Sequence, residues 1–130
     1  MKLAVYIVED EPAIQDSLKV VIEGYLRAEV IGSSPSEAEA IAWLHAHDGG
    51  WQLLVVDLKL AQGSGLGVLA AVAGAGPRGE GCAVIALTNA ASPDNRAECL
   101  RLGADAVFDK TEEINQFLAY CEQKMPGAAS

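Results

Sequence analysis

Two stretches of the chain, Leu53-Leu54-Val55-Val56 and Ala83-Val84-Ile85-Ala86-Leu87, are apolar at every position. Side chains of a strand point alternately to opposite faces, so a run with no polar alternation buries both faces, as the central strands of a parallel sheet covered by helices on either side do. Around them the pattern predicts strands at 2–8, 29–33, 53–57, 82–88 and 106–109. Helices are predicted at 12 to about 26, 37 to about 47, 66–73, 93–102 and 112–124. Strands and helices alternate throughout, which implies an open, parallel α/β sheet in a three-layer sandwich. A length of 130 residues with 51% apolar content suits one domain. Its expected extent is 1–124, with 125–130 as a disordered tail or linker stub.

The outer helices read as amphipathic. Ile14, Leu18, Val21 and Tyr25 form one stripe, and Ile114, Phe117, Leu118 and Cys121 another. Ser34-Pro35-Ser36-Glu37 predicts a helix start with a capping hydroxyl and a glutamate that closes a capping box, and Ser92-Pro93 and Thr111 predict similar starts. The run Gly74–Gly81 is rich in breakers and reads as a mobile connector. A phosphate-binding glycine loop would follow a strand and open a helix, whereas this run precedes a strand.

The formal charge of −9, with no basic patch, disfavours direct contact with nucleic acid or anionic lipid. Cys82, Cys99 and Cys121 are scattered and lie in or next to apolar stretches, so reduced core thiols in a cytoplasmic protein are expected. Neither a secretory leader nor an apolar span of about 20 residues is recognisable at the start.

In parallel sheets ligands gather beyond the carboxyl ends of the strands. Glu9-Asp10-Glu11 follows the first strand, Asp57 closes the third, Thr88 closes the fourth and Lys110 follows the fifth. Asp57 ends an apolar strand, where an ionised carboxylate needs water, a cation or donors. With Glu9 and Asp10 beside it, the like charges destabilise one another unless a cation intervenes, the alternative being a solvated strand end and an acidic loop of the kind common before helices. An all-oxygen donor set suits magnesium, with manganese as the alternative. Lys110 adds a positive charge and Thr88 a hydroxyl donor, and together these groups make a phosphoryl site.

These residues carry a family resemblance. Val5-Tyr6-Ile7-Val8-Glu9-Asp10-Glu11-Pro12, Leu54-Val55-Val56-Asp57, Ala86-Leu87-Thr88 and Gly103-Ala104-Asp105-Ala106-Val107-Phe108-Asp109-Lys110 occur in the order and spacing of bacterial response regulator receiver domains. The chain resembles that family over about residues 2–124. The resemblance implies a doubly wound, flavodoxin-like sheet in the order 2-1-3-4-5. It further implies magnesium held by Glu9, Asp10, Asp57 and the Lys59 backbone carbonyl, and phosphorylation of Asp57 by a histidine kinase or histidine phosphotransfer protein. Lys110 and Thr88 would contact the phosphoryl group, and a shift between two packings would reach a downstream protein, a homodimer partner or an output domain outside this chain. The protein would then be a signalling switch, not an enzyme acting on other substrates.

Some positions depart from the family pattern. Val107 stands where a Tyr or Phe usually turns inward, and Phe108 beside it should face the opposite side of the strand. Asn89 follows Thr88 where a small residue usually gives access. Lys59, two residues beyond Asp57, places a charged side chain at the site's edge. Ala61 and Thr111 stand where proline is common, leaving both loops less restrained. Asn89, Lys59 and Val107 are therefore candidate modulators. The alternative function they raise is a pseudo-receiver scaffold with little or no phosphorylation. A flavodoxin-like redox carrier or hydrolase would share the coarse fold, but neither a flavin cradle nor an activated water is visible. His45 and His47, late in the second helix, should lie away from the rim.

Overall fold

The computed structural model describes residues 2–76, 78–79, 81–125 and 127. The order is β1 (Leu3–Val8), α1 (Pro12–Tyr25), β2 (Ala28–Ser34), α2 (Glu37–Ala46), β3 (Leu53–Val56), α3 (Gly65–Gly74), β4 (Ala83–Thr88), α4 (Pro93–Arg101), β5 (Ala106–Asp109) and α5 (Ile114–Lys124). The strands form one parallel sheet in the order β2-β1-β3-β4-β5. This is the doubly wound arrangement that the family resemblance implies. Strand order reverses direction at β1, so the chain crosses from one edge of the sheet to the other around the carboxyl ends of β1 and β3.

Alternation along the strands divides the core in two. Val5, Ile7, Val55, Ile85 and Leu87 face α1 and α5, meeting Leu18, Ile22, Phe117 and Cys121. Tyr6, Val8, Leu54, Val56, Val84 and Ala86 face the other way, meeting Ala40, Val68, Leu69, Val72 and Cys99 from α2, α3 and α4. Both faces of β3 and β4 are dry, which explains their unbroken apolar sequence. Met125 joins the first layer. Most of the expected tail lies outside the described residues, as do Pro77 and Glu80 in the expected 74–81 connector.

Three local expectations need correction. In α1 the buried stripe is Leu18 and Ile22, with Ile14 packed partly against it, whereas Val21 and Tyr25 are exposed. Three consecutive apolar residues, Val20-Val21-Ile22, permit more than one stripe, and the seat of α1 on the sheet selects Ile22. Second, the cap of α2 is Ser36, whose hydroxyl accepts from the Glu39 amide at 3.2 Å. Ser34 ends β2 instead, its hydroxyl bonded to the Tyr6 phenol, and Glu37 turns away from its own helix to the β3–α3 loop. Third, α5 starts at Ile114. The amides of Thr111 and Glu112 donate to Asp109 Oδ1 at 2.8 Å each, in a turn preceding the helix. At Ser92 the expected cap is present, accepting from the Asn95 amide at 3.2 Å with Pro93 in the first turn.

Candidate functional site

The carboxyl ends of β1, β3, β4 and β5 bring Glu9, Asp10, Asp57, Thr88 and Lys110 to one open cavity. Glu9 and Thr88 are fully buried, and Asp57 is 7% exposed. The Lys110 ammonium donates to Glu9 Oε1 at 2.5 Å and to Asp57 Oδ2 at 2.8 Å. Because it lies at the end of an edge strand yet reaches across Thr88 to the first and third strands, Lys110 closes the rim through its long stem.

Backbone donors hold the acids. The Lys59 amide donates to Asp57 Oδ1 at 3.3 Å, the Ala61 amide to Asp10 Oδ2 at 2.9 Å and the Glu11 amide to Glu9 Oε2 at 3.1 Å. A proline at residue 61 would have no N–H to give, so the alanine there trades a stiff ring for a bond to an acid of the site. Gly65 completes the floor, since a Cβ at that position would come within 2.1 Å of the Asp57 carbonyl oxygen.

The electrostatics are those of a pocket short of positive charge. Burial pushes the Glu9 carboxyl above the usual carboxylate range, opposed but not cancelled by Lys110 and the Glu11 amide. Burial lowers the affinity of Lys110 for its proton, yet the hydrogen bonds and charges of Asp57 and Glu9 outweigh it, and its pKa lies above the ordinary value. The Lys110 ammonium bonds two of the three clustered carboxylates, Glu9 and Asp57. Oxygen atoms of Glu9, Asp10 and Asp57 all lie within 4.8 Å of one another. An all-carboxylate set at this spacing, partly buried and incompletely neutralised, fits a hard divalent cation.

Two of the candidate modulators, Asn89 and Lys59, line the cavity. Asn89 and Thr111 are exposed and joined by a 3.0 Å bond from the Thr111 hydroxyl to Asn89 Oδ1. The Lys59 side chain is exposed at the cavity's edge. Val107 is buried in the α2–α4 layer and its carbonyl accepts from Arg96 Nη1 at 3.2 Å. Phe108 faces the opposite layer, edge-on to Phe117 and Tyr120. His47 closes α2, its Nδ1 2.9 Å from the Trp43 carbonyl and its ring stacked on Trp43. Neither His47 nor His45 lines the acidic cavity.

Several supporting residues were not visible in the sequence. Gln15 donates to the Glu9 carbonyl at 2.5 Å and accepts from the Ser33 hydroxyl at 3.1 Å, pinning the end of β1. Arg96 bonds the carbonyls of Ala91 and Val107 and the Glu113 carboxylate, tying α4 to β5 and the start of α5. Each joins more than one element, Gln15 linking α1 to the ends of β1 and β2 and Arg96 linking α4 to β5 and α5, and no local motif marks it.

The sequence profile of the response regulator receiver domain matches residues 5–122. The chain belongs to the response regulator receiver domain family. No curated protein matches it in sequence. Among solved structures, a CheY-like receiver domain protein of Methanospirillum hungatei JF-1 is 27% identical, with TM-score 0.79 over 97% of this chain and 95% of that one. CheY of Borrelia burgdorferi, solved in a CheX–CheY–BeF3–Mg complex, is 16% identical, with TM-score 0.80 over 93% of this chain and 87% of that one. A response regulator of Burkholderia pseudomallei, solved with a phosphorylated aspartic acid, a calcium ion and citrate, is 22% identical. Its TM-score is 0.75, over 91% of this chain and 65% of that one. The latter two likenesses concern the fold. Within this receiver, no helix among the described residues is long and apolar enough to cross a membrane.

Proposed function

We propose that this receiver is a phosphorylatable switch whose acceptor is Asp57. The observation that carries the proposal is the reach of Lys110 to both Asp57 and Glu9 beside a buried Thr88 hydroxyl, because these are the groups a phosphoryl transfer to a carboxylate requires. The donor is a histidine kinase or a histidine phosphotransfer protein, or a small acyl phosphate in its place.

An Asp57 carboxylate oxygen attacks phosphorus in line while the bond from phosphorus to the donor's imidazole nitrogen breaks. The electron pair of that bond stays on nitrogen, and Asp57 carries an acyl phosphate. Glu9, Asp10, Asp57 and the Lys59 carbonyl would hold magnesium, or manganese in its place, which would supply charge neutralisation for the phosphoryl oxygens. Lys110 transfers its contact from the Asp57 carboxylate to the phosphoryl group. Thr88 Oγ1 accepts from the Ala90 amide at 3.1 Å, which leaves its own hydrogen to donate to a phosphoryl oxygen. Hydrolysis of the acyl phosphate resets the switch, so the protein's chemistry is confined to its own aspartate.

The signal leaves through protein contacts, to a downstream protein, a second copy of the chain or an output domain on a longer chain, in the cytoplasm. The net charge of −9 argues against nucleic acid as a direct partner. The alternative, a scaffold that is not phosphorylated, is favoured by the buried Val107 and by the Asn89–Thr111 bond, Asn89 lining the cavity. Incubation with a small phosphodonor and magnesium separates them: labelling abolished by Asp57→Asn supports the switch, and a folded wild type that neither small donors nor its kinase can label supports the scaffold.

A further inference from the structure

The β3–α3 loop carries the amides that donate to Asp57 and Asp10, yet it lacks the proline common at residue 61. We infer that Glu37, on α2, is the positioning residue that holds this loop in place and thereby sets the affinity of the acidic site for its cation. The inference rests on the phosphoacceptor and cation reading above.

Glu37 grips the loop twice. Its amide donates to the Gln62 carbonyl at 3.2 Å, and its carboxylate Oε1 accepts from the Ser64 amide at 2.8 Å. Ser64 is also the cap of α3, its hydroxyl accepting from the Leu66 amide at 3.1 Å, so a carboxylate at this amide lies where the helix presents its positive end. A bridge between Lys59 and Ser64 and a 3.0 Å bond from the Gly65 amide to the Leu58 carbonyl pass the restraint to the acid-binding end of the loop.

Two glycines make room for the grip. Gly63 has φ +83°, and a Cβ there would lie 2.4 Å from the Glu37 Cβ. At Gly67 a Cβ would lie 2.2 Å from Glu37 Oε2. Gly67 occupies the first turns of α3, where glycine weakens a helix relative to alanine. Clearance for the Glu37 carboxylate gives that glycine a physical reason. The nearest atoms to a methyl at Gly67 all belong to the Glu37 carboxylate, the end of a flexible side chain, so α3 should survive while Glu37 is displaced from Ser64.

The test measures the full chain with and without magnesium. Amide hydrogen exchange reads the loop directly, and calorimetric titration with magnesium alone reads the cation site. Glu37→Ala should speed exchange at Ser64 and Ala61 and weaken magnesium binding about tenfold, the low end of what loss of a supporting contact costs a metal site. Glu37→Gln, which keeps a carbonyl oxygen for the Ser64 amide, should restore both to within about twofold of the wild type. Gly67→Ala should reproduce Glu37→Ala without lowering the melting temperature, an outcome that loss of general stability cannot produce. If Glu37→Ala leaves loop exchange and magnesium affinity unchanged while the wild type binds magnesium and is phosphorylated, the positioning role is wrong and the switch stands. If the wild type neither binds magnesium nor takes phosphate, the underlying reading fails with it.

Discussion

Lys110 Nζ lies 2.8 Å from Asp57 Oδ2, although the residues are 53 positions apart and sit at the ends of β5 and β3, which are not neighbours in the sheet. The same ammonium touches Glu9, so one cation offsets two buried carboxylates. Removing it leaves both without a counter-charge.

Lys110→Ala should therefore lower stability in metal-free buffer by about 3 kcal/mol, the low end of the cost of breaking a buried ion pair, because the cavity opens to water on one side. Magnesium at about one hundred times its Kd should add about 2.7 kcal/mol to the wild type and recover part of the loss in the variant, since a divalent cation replaces the missing charge. Urea unfolding with and without magnesium measures both.

Asn89 lines the acidic cavity and its side chain is held by the Thr111 hydroxyl at 3.0 Å, which leaves the amide beside the space a phosphodonor would enter. Asn89→Ala should raise the rate of labelling by a small phosphodonor by about 0.5–1 kcal/mol of barrier, roughly two- to fivefold, with little change in stability. A rate equal to or below the wild type's would show that Asn89 assists the transfer instead of screening the site.

Packing of α1 can be tested by two neighbouring substitutions. Ile22 is fully buried, whereas Val21 is 38% exposed. Ile22→Ala should cost about 2–5 kcal/mol and Val21→Ala about 0.5 kcal/mol, read as shifts in the denaturation midpoint. Equal costs would return Val21 to the buried stripe.

Thiols report the core and its response to alkali. Burial pushes the Cys121 thiol from 9.0 up to about 12, and raises Cys99 and the Tyr6 phenol as well. In each the folded state holds a proton that the unfolded chain releases earlier. The stabilisation is fully present below pH 9.0 for Cys121, and is lost as pH rises toward about 12. Stability should accordingly fall above pH 9.0, and Cys121→Ala should make that fall shallower. Under native conditions an alkylating reagent should modify half-buried Cys82 first, with Cys99 and Cys121 reacting on unfolding. Mass spectrometry of the timed reaction distinguishes them.

How much of this was written in the sequence follows from how each feature is encoded. β3 and β4 were legible because burial on both faces leaves a continuous apolar run, and Asp57 stood out because it breaks one. Glu9, Asp10, Thr88 and Lys110 could be brought together in advance because a parallel sheet delivers every strand's carboxyl end to one rim. Choosing Ile22 over Val21 was beyond periodicity, since three apolar residues in a row fit several stripes. The local sequence places Glu37 in its own helix cap, whereas its partner, the Ser64 amide, is 27 residues away. Backbone groups carry no sequence signal, so bonds such as Gln15 to the Glu9 carbonyl appear only when the chain is folded.

The central claim is that Asp57 accepts a phosphoryl group, and chemical mapping of the acceptor tests it most directly. Purified protein is incubated with magnesium and a small acyl-phosphate donor, reduced with borohydride to trap any aspartyl phosphate as homoserine, digested and sequenced by mass spectrometry. The account predicts conversion at residue 57 alone, dependent on magnesium and absent from Asp57→Asn. Conversion at another carboxylate, or none in folded protein that binds magnesium and has been offered its kinase as well, would contradict it.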